Sequence, residues 1–276
     1  MPSTYAHFKF GKEILKRLPE SLKRSADLFP ELFAIGQHGP DILFYYKALT
    51  SNPVNQTGYG MHDRKASEFF EPALDVIRGL KEDKGERAYI YGFVCHFILD
   101  STVHWYIEDK IAQGEVSHTQ IEGELDRILM EEDGLDPVRY MPASHIVPSM
   151  ESARVISEFF PGISPEEICK SLKDMIFYNK LLCCPNKAKR KLVTGVLKAA
   201  HHEEMIGMVI RYEPDPRCAD SNIILRRLFD AALDEALKYL VIFEEASNTQ
   251  KSLPERFYRT FGPDKESKEE YEIYKA

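Results

Sequence analysis

The sequence at residues 91–107 is YGFVCHFILDSTVHWYI, which is apolar around nearly the whole circumference of a helix. Helices of that kind are buried. Three titratable residues nevertheless recur within it at steps of four: His96, Asp100 and His104. This spacing stacks their side chains on one face of the helix. Because a buried, ionised carboxylate without a partner is strongly destabilising, the row predicts ligands for a cation.

A second pair with the same spacing, His118 and Glu122, follows in the next predicted helix. Imidazole and carboxylate donors without cysteine suit zinc, and also iron or manganese. Each pair taken alone is also compatible with an ordinary hydrogen-bonded or exposed ion pair. An all-helical protein whose histidines only form hydrogen bonds in the core therefore stays an alternative.

Composition limits the classes of partner. The 276 residues carry a formal net charge of −8, which argues against broad electrostatic binding to nucleic acid or to an anionic membrane surface. The one tight basic run, KAKRK at 187–191, is expected to be a solvated helix face. We see no signal peptide and no apolar run long enough to span a membrane. The five cysteines form no CxxC pair, so we expect a cytoplasmic protein.

Apolar periodicity predicts an all-α fold. Helices are expected at 4–18, 29–36, 61–81, 86–110, 117–133, 164–182, 188–210 and 221–246. The composition of residues 50–60, TSNPVNQTGYG, predicts a loop. We expect one domain over 1–265, with its motifs in 4–126 and a helical second half at 130–250. Residues 266–276 are expected to form a charged, frayed tail.

Five motifs in the first half occur in a fixed order: AHFKFGKEIL, GQHGPDILFYY, GYGMHD, YGFVCHFILDSTVHWYI and SHTQIEGEL. Together they resemble the bacterial zinc-dependent phospholipase C family, which shares its all-helical fold with P1-type nucleases. The resemblance covers roughly residues 4–126 and implies a multi-helix single domain of that type.

The resemblance implies two to three bound zinc ions, with ligands carried over residue by residue. The first ion would be held by Asp41, His62, His96 and Asp100, and the second by His104, His118 and Glu122. The third would take His7 and share Asp100. In the family this third site also uses a processed N-terminal tryptophan, whereas this chain begins Met-Pro-Ser-Thr. The step from Asp100 to His104 is also shorter than in the secreted phospholipases.

The resemblance further implies hydrolysis of a phosphodiester or phospholipid-like substrate by a metal-bound hydroxide, with Asp41 orienting or deprotonating the water. His38, Phe44 and Tyr45 are candidates for the substrate pocket. No stable binding of nucleic acid is expected, and the oligomeric state is left open.

Two other functions stay open. The dipeptide His62-Asp63, together with His38 and Asp100, also fits the ligand order of the HD-domain phosphohydrolases, but that assignment leaves His104, His118 and Glu122 unexplained. The second alternative is a non-catalytic metal-binding or interaction module of the same fold.

Overall fold

The computed structural model describes residues 4–249 and 251–275, and it is all-helical. Twelve α-helices lie in these ranges: α1 Thr4–Arg17, α2 Glu20–Leu28, α3 Pro30–Gly36, α4 Pro53–His62, α5 Ser67–Gly79, α6 Glu86–Ile111, α7 His118–Glu132, α8 Met150–Ser157, α9 Pro165–Leu182, α10 Lys187–Ala199, α11 Ala219–Asn248 and α12 Lys265–Tyr271. Short 3₁₀ helices form at Gly39–Tyr45, Glu203–Met208, Pro216–Cys218, Glu255–Tyr258 and Glu272–Lys275. Within the described ranges, β-structure is limited to one isolated bridge between Lys65 and Thr260.

Helix α6 is the centre of the molecule, as its apolar circumference predicts. Residues 88–107 are all buried, mainly beneath α3 and α11. Two glycines let α3 approach α6 closely. A Cβ on Gly36 would lie 2.1 Å from the carbonyl oxygen of Tyr89, and one on Gly92 would lie 2.4 Å from that of Phe33. The predicted buried helix is therefore confirmed, and it fixes the row of polar residues in the interior.

The prediction of a loop at 50–60 is wrong, because most of this segment forms α4. Asn52 caps the helix by accepting a hydrogen bond from the backbone N–H of Asn55, and the Asn55 side chain accepts one in return from the N–H of Asn52. Pro53 then occupies the first turn, where its missing N–H is harmless. This reciprocal cap outweighs the turn-forming composition, and α4 ends at His62.

The second half of the chain packs onto the same core. The long helix α11 lies along α6, and one hydrophobic cluster extends from Tyr5 to Tyr271. A smaller cluster beneath α10 comprises Leu182, Cys184, Val193, Leu197 and Val209. None of the helices in the described part of the chain is long and apolar enough to cross a membrane.

The expected frayed tail is instead ordered as far as it is described. Asp264 caps α12, whose Ser267 and Tyr271 are buried. Lys268 and Lys275 both form ion pairs with Asp109 near the end of α6. The high charge of the segment predicted solvation, but its ion pairs with Asp109 and the buried Tyr271 side chain hold it against the rest of the protein.

Candidate metal centre

The row on α6 lies at the centre of a buried cluster. Asp100 Oδ2 lies 3.1 Å from His96 Nε2, one turn before it, and 3.8 Å from His104 Nδ1, one turn after it. All three side chains are buried. The helical spacing thus brings these groups together as the sequence predicts.

Asp41 and His62 approach this row from the 3₁₀ helix Gly39–Tyr45 and the end of α4. His62 Nε2 lies 3.1 Å from Asp41 Oδ1 and 3.7 Å from Asp100 Oδ2. Gly39 permits the approach, because it has a φ of +46° and a Cβ there would lie 2.2 Å from His96 Cδ2. A side chain at position 39 would therefore displace the His96 ring.

His7 enters from the first turns of α1. Its Nε2 atom lies 3.1 Å from Asp100 Oδ1, and its ring stacks on His96 with centroids 4.3 Å apart. The start of α1 is held by Asp126 of α7, whose carboxylate accepts hydrogen bonds from the backbone N–H groups of Tyr5 and Ala6 at 3.0 and 2.8 Å. Asp126 thereby fixes the position of His7 relative to α7.

Helix α7 contributes the remaining pair. Ser117 caps its N-terminus, so His118 begins the helix and Glu122 lies one turn later on the same face. Glu122 Oε1 lies 3.1 Å from His118 Nε2 and 3.6 Å from His104 Nε2. The pair expected from spacing is therefore joined to His104 across the α6–α7 interface.

Backbone carbonyls fix the tautomers of three histidines. The Nδ1–H of His62 donates to Gly58 O at 3.0 Å, that of His96 to Gln37 O at 3.2 Å, and that of His104 to Asp100 O and Phe261 O at 3.1 Å. In each neutral ring the Nε2 atom then carries the lone pair and can bind a cation. This is the outer-shell arrangement that metal-binding histidines require.

Several donor atoms are buried without a hydrogen-bond partner in the described part of the chain, which also favours a bound metal ion. His62 Nε2, His96 Nε2, His118 Nε2 and Asp41 Oδ1 are buried and form no hydrogen bond with any described residue. In the His62–Asp41 and His96–Asp100 pairs, a lone-pair nitrogen faces a carboxylate oxygen at 3.1 Å. Two acceptors so close repel one another unless a proton or a metal ion lies between them. The residues present therefore fit a bound metal ion, and their imidazole and carboxylate donors suit zinc.

Charge is concentrated in this interior. Burial would raise the pKa of Asp100, but His96, His104 and His7 together hold it well below its usual range. The pKa of Glu122 is likewise well below its usual range, because His118 and His104 outweigh burial. Burial would lower the pKa of His104, yet Asp100 and Glu122 raise it to about 9. The carboxylates therefore stay ionised and attract positive charge to the centre.

The donor atoms form three groups that could each hold a metal ion in the described part of the chain. These are Asp41, His62 and His96; His7, His96 and Asp100; and His104, His118 and Glu122. The structure thus brings together all eight residues that the resemblance implied. The grouping differs in two respects. His96 belongs to two groups, and Asp100, which the resemblance shared between the first and third ions, belongs only to the group of His7 and His96.

Other candidates fall outside the centre. His38 and His145 form a hydrogen bond between their Nε2 atoms at 2.7 Å, and His38 is buried. Asp63 follows the C-terminal end of α4 and is exposed, which removes the ligand that an HD-domain site would need. The consecutive residues His201, His202, Glu203 and Glu204 belong to none of the three groups.

An apolar cavity of about 300 Å³ adjoins the centre. Phe44 lines it, and the Phe44 ring lies 5.2 Å from that of His62 and stacks on Tyr59 at 4.4 Å. Further lining residues are Tyr45, Thr119, Tyr178, Met205 and Met208. Two of the three pocket candidates, Phe44 and Tyr45, therefore line a cavity, whereas His38 does not.

Sequence reasoning missed the residues that position the ligands. The Gln37 carbonyl, the Phe261 carbonyl and the Asp126 carboxylate carry no local motif, because their partners lie far away in the chain. One signal was available for Asp126, since it follows Glu122 by four residues and so shares its helix face.

A model of the zinc dependent phospholipase C family matches residues 6–166. No curated protein and no solved structure matches the chain significantly. The matched segment is more than half of the chain and contains all eight residues of the three donor groups. The buried donor cluster and this match lead to one conclusion: the chain belongs to the zinc-dependent phospholipase C family.

Proposed function

We propose that this protein is a zinc-dependent phosphoric ester hydrolase that acts on a phosphodiester or phospholipid-like substrate. The observation that supports it best is the placement of Asp100, with one carboxylate oxygen 3.1 Å from His7 and the other 3.1 Å from His96. These three residues form one donor group, which could hold a cation deep in the interior. Bound zinc ions would lower the pKa of water and stabilise negative charge on a phosphoryl group.

The chain's own residues would divide the remaining tasks. Asp41 is buried, and the histidines His96 and His62 outweigh burial and lower its pKa, so it is ionised at neutral pH. Its Oδ1 atom has no hydrogen-bond partner among the described residues. We assign Asp41 the role of accepting a hydrogen bond from the attacking water and orienting it.

The cavity beside His62 would hold the apolar part of the substrate. Aromatic rings and methionines form much of its wall and suit acyl chains or another hydrophobic alcohol group, while His202 and Glu204 add polar groups to the lining. The ester would then lie between this wall and the donor groups. Phe44 connects the two, since its ring contacts both Tyr59 and His62.

The test is hydrolysis of bis(p-nitrophenyl) phosphate and of short-chain phosphatidylcholine by protein stripped of metal and then supplied with zinc. We expect activity to appear only with zinc and to be lost in His96→Ala. His201→Asn is the matched control, because His201 is an exposed histidine with a φ of +58° that asparagine tolerates. Bound zinc without turnover of either ester would instead support a non-catalytic metal-binding module.

A further inference from the structure

Helix α10 has an apolar face that no described residue covers. Leu192 is 68% exposed and Val196, one turn later, is 57% exposed. Ala188, Gly195 and Ala199 lie on the same side of the helix and are exposed as well. The opposite side is anchored, because Val193 and Leu197 are buried in the cluster beneath α10. The buried side of α10 therefore fixes the orientation of its exposed side.

This apolar face lies in the most basic part of an acidic protein. Between residues 170 and 199 the sequence has eight lysines and arginines and one acidic residue, Asp174, although the whole chain has a net charge of −8. Lys187, Lys191 and Lys198 of α10 are exposed and form no ion pair with any described residue. Their charge is thus available to an external partner.

The preceding helix extends the pattern. On α9, Phe177 is 59% exposed, and Lys173 and Lys180 lie on its side of the helix. Lys189 ties the two helices together, because its Nζ atom donates to the carbonyls of Lys180 and Cys183. We call the exposed residues Lys173, Phe177, Lys180, Lys187, Lys191, Leu192, Val196 and Lys198 the α9–α10 face.

The α9–α10 face is connected to the cavity beside the metal centre. Tyr178, next to Phe177, lines that cavity, as does Leu182 at the end of α9. Met205 and Met208 also line it, and they belong to the 3₁₀ helix on which α10 packs. One of the two helices that carry the α9–α10 face, α9, therefore also supplies part of the cavity wall.

We propose that the α9–α10 face docks the protein on an anionic lipid surface. Exposed aliphatic and aromatic side chains flanked by unpaired lysines fit the boundary between acyl chains and anionic headgroups. A second copy of this chain fits poorly, because a symmetric contact would bring the two lysine clusters together. This inference rests on the proposed function in one respect: docking there brings the cavity to a phospholipid substrate.

The test is cosedimentation of the full chain with vesicles of phosphatidylglycerol and phosphatidylcholine, and with vesicles of phosphatidylcholine alone. We expect binding to the anionic vesicles only. Lys187→Gln/Lys191→Gln/Lys198→Gln should weaken it about 100-fold at low salt. Leu192→Ser/Val196→Ser should weaken it about 10-fold or more.

The matched control is Ile223→Ser/Val241→Ser on α11. Ile223 and Val241 are 56% and 45% exposed, so a similar apolar area is removed from a helix rich in acidic residues. This variant should bind vesicles like the wild type. Thermal unfolding of each variant checks that the fold is retained, which exposed positions should allow.

Three outcomes would overturn the proposal. The first is equal binding to neutral and anionic vesicles. The second is a loss of vesicle binding in the α11 control equal to that in Leu192→Ser/Val196→Ser. The third is a protein that binds no vesicles but forms a dimer, which Leu192→Ser/Val196→Ser dissociates. Hydrolysis of bis(p-nitrophenyl) phosphate is measured beside binding. Turnover of this soluble ester without vesicle binding rejects the docking face alone, and vesicle binding without turnover rejects the hydrolase function alone.

Discussion

The Oδ2 atom of Asp100 lies 3.1 Å from the Nε2 atom of His96, one turn away on a helix whose middle is buried on every side. The Nδ1–H of His96 donates to a backbone carbonyl, so the two facing atoms are both acceptors. The fold holds them together in spite of their repulsion. A bound cation explains this arrangement, and the predictions below follow from it.

Asp100→Asn should impair metal binding more than any other single conservative change in the centre. Asp100 contacts His7 through one oxygen and His96 through the other, and an amide can replace at most one of these negative ligands. We expect zinc affinity to fall by more than the roughly 10- to 100-fold typical of outer-shell partners. Calorimetric titration of metal-free protein with zinc measures the change. Asp63→Asn, at an exposed position, should leave the titration unaltered.

Gly39→Ala should damage the centre without touching a donor atom. The new Cβ would lie 2.2 Å from His96 Cδ2, and the residue would also retain a φ of +46°. Gly134→Ala is the matched control, because Gly134 has a φ of +71° but open space around it. Both variants should lose about 1–2 kcal/mol of stability from backbone strain. Only Gly39→Ala should also weaken zinc binding, and equal zinc affinities in the two variants would contradict the role assigned to Gly39.

Zinc affinity should depend on pH through His104. Asp100 and Glu122 raise the pKa of His104 to about 9, so at pH 7 the metal-free ring is protonated and zinc must displace that proton. Affinity should therefore rise about tenfold per unit between pH 7 and pH 9 from this group. Calorimetry in buffers of different ionisation enthalpy counts the released protons. His104→Gln should release about one fewer, and an unchanged count would reject the assignment.

The same shift predicts the pH dependence of the metal-free fold. The folded pKa of His104 lies above its unfolded value of 6.5. Its contribution to stability is therefore complete below pH 6.5 and is lost as the pH rises through about 9. Urea unfolding at pH 6 and at pH 10, with and without His104→Gln, measures this contribution as a difference between the two pH values.

Asp126→Ala should disturb the position of His7 while leaving the other donor residues in place. The substitution leaves the N–H groups of Tyr5 and Ala6 without their acceptor and should cost about 0.5–2 kcal/mol. Because α1 carries His7, the zinc group that includes His7 should weaken as well. Ser149→Ala removes the cap of α8, a helix that carries none of the eight donor residues, and should lower stability alone. Equal effects on zinc binding in the two variants would show that the cap does not position His7.

The sequence predicts the part of the centre that lies on single helices. His96, Asp100 and His104 share a face of α6, and His118 and Glu122 share one of α7, because helical spacing alone decides which side chains align. His7, Asp41 and His62 belong to other elements, so only the family resemblance connected them to the row. The His38–His145 pair, separated by 107 positions, followed from neither source.

Segment ends were harder to predict than segment centres. The apolar composition in the middle of α6 was enough to predict a buried helix. By contrast, α4 was missed because the reciprocal cap between Asn52 and Asn55 overrides a turn-like composition. The charges of α12 suggested solvation, but its docking depends on long-range ion pairs with Asp109. Contacts between distant segments decide such cases, and local pattern does not contain them.

The most direct measurement is the metal content of purified protein by elemental analysis, beside a His96→Ala/His118→Ala variant. These two histidines belong between them to all three donor groups. We predict two to three equivalents of zinc or a similar metal per chain in the wild type and less than one in the variant, with His201→Asn unchanged. Less than one equivalent in the wild type itself would contradict the account, and the buried histidines would then be hydrogen-bonding residues of the core.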